Sequence, residues 1–86
     1  MPVISMFFGI VITMFYNDHD PVHFHAEYQG QRAKFDLEGA LLAGAFRSQT
    51  AQRLIREWAA AHQTEIKANW ENARQGRPLL RIEPLD

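Results

Sequence analysis

The sequence predicts an α+β domain, a small antiparallel β-sheet of four to five strands packed on one long C-terminal α-helix. Three observations predict it. Residues 3–16 are rich in β-branched and aromatic side chains. Two alternating runs flank Gln29-Gly30, a hairpin signal. Beyond Ser48, apolar residues recur at steps of three and four.

Taken in order, residues 3–16 form either one bent strand or two, with Gly9 at a bulge or a turn. Asn17-Asp18-His19-Asp20-Pro21 is dense in turn formers and reads as a loop. His23 to Tyr28 reads as a strand, and residues 31–37 as the strand that returns. The result is a meander. Residues 38–46 stay ambiguous, because Gly39 and Gly44 frame a short apolar piece that suits a strand or a helical turn.

Ser48 is an N-cap candidate for the helix, and Gly76 followed by Pro78 is a stop signal. Between them run Ala51, Leu54, Ile55, Trp58, His62, Ile66, Trp70 and Ala73, a stripe expected to lie on the sheet. About 26 residues at a rise of 1.5 Å give a helix of roughly 39 Å. Residues 79–82 suit a last edge strand.

At 86 residues the chain is one domain, 1–86, and 47% hydrophobic with 22% charged residues excludes disorder. There are no cysteines, so disulfides, thiolate metal sites and cysteine nucleophiles drop out together. Their absence points to a reducing cytoplasm. The apolar opening lacks the basic flank of a signal peptide and is too short to span a bilayer, so no membrane partner is expected. The net charge is −1, with two basic and five acidic residues before Arg47. That balance argues against a general nucleic-acid binder, which carries a basic footprint. No P-loop, Rossmann glycine pattern or zinc-finger spacing is present.

The concentrated chemistry runs from Asp18 to Glu27. On a strand, His23, His25 and Glu27 share one face, and Phe24, Ala26 and Tyr28 share the other. The apolar set is expected to face the helix, leaving both imidazoles on the open side. Asp18, His19 and Asp20 can fold back towards them from the loop.

The motifs Phe7-Phe8-Gly9-Ile10, Asn17-Asp18-His19-Asp20-Pro21, His23-Phe24-His25-Ala26-Glu27-Tyr28, Glu57-Trp58-Ala59, Asn69-Trp70 and Gly76-Arg77-Pro78 together resemble a known family of small bacterial proteins. It is the domain-of-unknown-function family four-one-six-zero, and the likeness covers essentially the whole chain. Met6 stands where relatives often have a basic residue, and Val22 where a second proline is common. The resemblance implies a toxin–antitoxin-like gene context.

Three readings of the histidine segment follow. In the first, turn formers and surface histidines make ordinary hydrogen bonds. In the second, the protein is a non-enzymatic binding or regulatory module whose histidines hold a partner protein or a divalent transition metal. Imidazole plus carboxylate suits zinc, nickel, manganese or iron, with His23, His25 and Asp18 as candidate ligands and no third ligand fixed. In the third, which the gene context favours, the protein is a toxin that binds or cleaves RNA. His23 and His25, with Asp18, would exchange protons there without a metal. His19, Asp20 and Glu27 would assist, and Arg32 and Lys34 would hold phosphate. His62 is expected to be a hydrogen-bonded boundary residue, and Trp58 and Trp70 to be core anchors. Since one helix covers one sheet face, a homodimer or a small partner protein is expected on the other.

Overall fold

A computed structural model describes residues 2–19 and 21–86. Five strands form one antiparallel sheet in sequence order: β1 (Val3–Phe7), β2 (Ile10–Thr13), β3 (His23–Tyr28), β4 (Gln31–Asp36) and β5 (Leu41–Gly44). Two helices follow, α1 (Gln49–Ala61) and α2 (Gln63–Arg74). The α+β class therefore holds. No helix among the described residues is long and apolar enough to cross a membrane.

Gly9 sits in a turn between two strands. Phe8 and Gly9 have φ of 49° and 79°, and Gln29 and Gly30 have φ of 50° and 79°. Two successive positive φ values mark the hairpin turns whose twist matches that of the flanking strands. The irregularity in the first hairpin lies instead between Val3 and Ser5, where the register shifts.

The ambiguous segment after β4 resolves into a turn and an edge strand. The Asp36 carboxylate accepts hydrogen bonds from the Glu38 and Ala40 N–H groups, each 2.9 Å. Gly39 passes so close to α1 that a Cβ there would lie 2.7 Å from the Arg56 Cα, so a side chain would force the helix away.

The helical expectation is corrected. The single long helix is two helices, broken at His62, which has φ −131° and ψ 29°. The His62 N–H turns back to the Ala59 carbonyl, and its Nδ1 contacts Glu65 Oε1 at 2.7 Å. The apolar stripe continues through the break, which is why the sequence pattern conceals it. Breaking the cylinder changes what each half can reach. Trp58 on α1 packs against Phe7 and Phe24, and Trp70 on α2 packs against His23. Ser48 caps α1 as expected, its Oγ accepting the Ala51 N–H at 3.0 Å.

The core fills the face turned to the helices. Phe24 stacks on Phe35 with ring centres 5.8 Å apart and meets Trp58 edge-on at 5.4 Å, geometries that aromatic quadrupoles favour. Ile10, Ile12, Ala26 and Ile55 are buried among them. Residues 79–82 do not form a strand. They run beside β1, where the Ile82 N–H reaches the Ile4 carbonyl at 2.7 Å and Ser5 Oγ donates to the Ile82 carbonyl at 3.0 Å. Asn69, buried on α2, clamps this segment by bonding both backbone groups of Leu80.

Candidate metal centre

β3 begins at His23 directly after the loop, so strand alternation sends His23 and His25 to the same side while Phe24 enters the core. The two rings lie 5.2 Å apart. The loop then folds back over them. Asp18 Oδ2 stands 2.8 Å from His23 Nε2 and 3.3 Å from His25 Nε2. One carboxylate oxygen thus joins both imidazoles.

The histidines are not equivalent. His23 is 3% exposed, covered by Asp18 and by Trp70 at a ring distance of 5.1 Å. This corrects the expectation that both rings would stand open. His25 is 28% exposed, with Phe15 edge-on at 4.5 Å.

His23 Nδ1 lies 2.8 Å from the Pro21 carbonyl. A carbonyl only accepts, so Nδ1 carries the proton and the neutral ring turns an Nε2 lone pair towards Asp18. Two lone pairs at 2.8 Å repel unless a cation lies between them, either a proton on Nε2 or a metal ion. A backbone carbonyl on the far nitrogen is the arrangement that orients metal-binding histidines.

Protonation also favours ligation. Burial acts upward on the Asp18 carboxyl, but hydrogen bonds from the His19 N–H, His25 and His23 outweigh it, holding the group below its ordinary 3.8. Burial pushes His25 below its ordinary 6.5; contact with Asp18 opposes this, and positive charge on His23, when that ring is protonated, and on Lys34 adds to it. An ionised carboxylate and a neutral imidazole are the ligating forms. The three candidate ligand atoms lie within 4.8 Å of one another. Tetrahedral bonds of about 2.1 Å place ligand atoms roughly 3.4 Å apart, so an ion would lengthen the 2.8 Å contact between Asp18 and His23 by about 0.6 Å.

With the geometry in hand, the comparison with protein families becomes informative. A profile described as "domain of unknown function (DUF4160)" matches residues 9–71. The chain belongs to the DUF4160 family. No curated protein and no solved structure matches it. The DUF4160 match spans the loop, both histidine-bearing positions and the Trp70 that covers His23, so the whole cluster falls inside the family region. The segment that lines β1, residues 79–82, falls outside it.

The other expected site residues scatter. His19 is exposed, its backbone N–H bonded to Asp18 Oδ1 at 2.9 Å, and it shares a cleft with Asn17, Asp18 and Arg74. Asp20 lies outside the described residues. Glu27 pairs at 3.4 Å with Arg32, its register partner on β4, and lies two residues along β3 from His25. Lys34 stands opposite His25 on β4, and its charge reaches that ring without a hydrogen bond. Neither cation joins the cluster. Sequence reasoning passed over Pro21, Phe15 and Trp70 as site residues. Pro21 contributes only a backbone carbonyl, which residue type does not announce. Trp70 reads in the sequence only as a core anchor on the apolar stripe, and the fold alone sets it against His23, with its Nε1 lacking a hydrogen-bond partner among the described residues.

Proposed function

We propose that the protein is a metal-binding module in which Asp18, His23 and His25 hold one divalent transition-metal ion. The carrying observation is the shared Asp18 oxygen facing two Nε2 atoms, one of them oriented by the Pro21 carbonyl. With two imidazoles, one carboxylate and no thiolate, the donor set suits zinc, nickel, manganese or iron(II). Three protein ligands leave at least one position for water or a further ligand, the pattern of catalytic and regulatory sites more than of structural ones.

A second reading is acid–base chemistry on RNA, within a toxin–antitoxin-like module. The Asp18–His25 contact favours it, since a carboxylate orients an imidazole that is partly exposed and kept neutral by burial. The reading narrows to one histidine, because His23 is too deeply covered to exchange protons with a polymer.

Elemental analysis of protein purified without chelating resins decides between them. The metal reading expects about one transition-metal ion per chain. Asp18→Ala, His23→Ala and His25→Ala should each lose it. Absence of stoichiometric metal, even after incubation with zinc, overturns the proposal. RNA cleavage that persists in chelator and vanishes in His25→Ala would establish the second reading instead.

A further inference from the structure

Beside the cluster, on the face of the sheet turned from the helices, lies a pocket of about 180 Å³. Val3, Val11 and Phe15 wall it, and Thr13, His25, Glu27 and Arg32 supply its polar groups. The register sets Val3, Thr13 and His25 in one row across the sheet, and Val11, Glu27 and Arg32 in another. A cavity of about 150 Å³ holds a benzene molecule, so this one accommodates a single ring with a small head group.

His25 belongs to both places. Its Nε2 faces Asp18, while its Nδ1 makes no hydrogen bond among the described residues. A neutral imidazole has one proton to place. Without an ion, that proton sits on Nε2 and is donated to Asp18, so Nδ1 is left as an acceptor. An ion bound at Nε2 uses that lone pair and moves the proton to Nδ1, which becomes a donor. Arg32, 71% exposed, pairs with Glu27 through its Nε at 3.4 Å, which leaves the other guanidinium N–H groups for a second anion.

We infer that the pocket is a site for a small ring-bearing carboxylate that binds preferentially when the ion is in place. One carboxylate oxygen accepts from His25 Nδ1–H, the other pairs with Arg32, and the ring lies against Val3, Val11 and Phe15. The inference rests on the metal reading above and adds to it a ligand class and a coupling. By linkage, the carboxylate tightens the ion as much as the ion tightens the carboxylate.

The experiment titrates benzoate into the full chain, once chelator-treated and once zinc-loaded, by calorimetry or by amide chemical shifts, with zinc content measured on each sample. Zinc should strengthen benzoate binding at least about fivefold, at the lower end of common coupling strengths. Val11→Trp, which fills the pocket, should abolish benzoate binding and keep zinc. Arg32→Gln should weaken benzoate and keep zinc. Equal benzoate affinity in protein that carries zinc overturns this inference alone. Undiminished benzoate binding by zinc-loaded Val11→Trp overturns it too, because the anion then sits on the ion and not in the pocket. A chain that takes up no zinc removes the metal reading, and the inference with it.

Discussion

The two faces of the sheet are made from alternate residues of the same strands, yet they are built on different principles. The face turned to the helices is apolar and close-packed: Phe24, Ala26, Phe35 and Ile12 are buried under Trp58 and Ile55. The other face carries His25, Glu27, Arg32 and Lys34, with a shallow apolar pocket among them and the Asp18 loop folded over one end. The comparison teaches that stability and site chemistry can be placed one residue apart. Phe24 anchors the core while its neighbours on either side meet the same carboxylate oxygen, so the rigid face fixes the geometry of the reactive one.

Four changes break or sharpen that contrast, beginning with the largest effect. Trp58→Ala removes the largest buried side chain together with its Nε1 hydrogen bond to the Glu83 carbonyl, and should cost about 3–5 kcal/mol in urea unfolding. Phe15→Ala, on the opposite face, should cost about 1 kcal/mol. Equal losses would mean that the open face is structural as well.

Asn69→Ala leaves both backbone groups of Leu80 without their partner and should cost about 1–3 kcal/mol. Amide hydrogen exchange should show the loosening in residues 79–82 and in β1, with β3 and β4 unaffected. If protection at β3 fell equally, the helix-side clamp and the site would form one cooperative unit.

The smallest effect is on pH dependence, measured in chelator-treated protein. The folded-state value of His25 is depressed, so between that value and 6.5 the unfolded chain holds a proton that the folded chain does not. Its contribution to stability is therefore complete above 6.5 and is lost as the pH falls below it. Asp18 acts in the same sense at lower pH, its contribution present above 3.8 and lost below as the folded carboxyl is protonated. His25→Asn should flatten the slope just below 6.5 and leave the more acidic part unchanged. An unaltered slope would place the neutral ring elsewhere.

Legibility from sequence followed locality. Gln29-Gly30 and Ser48 act on neighbours within a few residues, and each does in space what its residue type suggests. The break at His62 escaped because His62 is four residues from both Trp58 and Ile66, so the stripe keeps its phase across the interruption. In the site, two histidines and an acid close in sequence were readable as a cluster. Which acid serves, and which ring is covered, were not. Asp18 is selected over Glu27 by the path of the loop, and His23 is shielded by a tryptophan from the second helix. Arg32 and Lys34 had the right charge for holding phosphate, but strand register directs them to Glu27 and to the open surface beside His25.

By itself the sequence determined the α+β class, the meander, the start and end of the helical region and the segment in which chemistry concentrates, because periodicity, caps and turn residues act over one to four positions. Only the tertiary structure decided where the helix divides, that one Asp18 oxygen serves two imidazoles, and that Trp70 and the Pro21 carbonyl set the environment of His23. Trp70 is remote from His23 along the chain, and the Asp18 and Pro21 contacts, though only two to seven residues away, depend on a loop path that residue type does not fix.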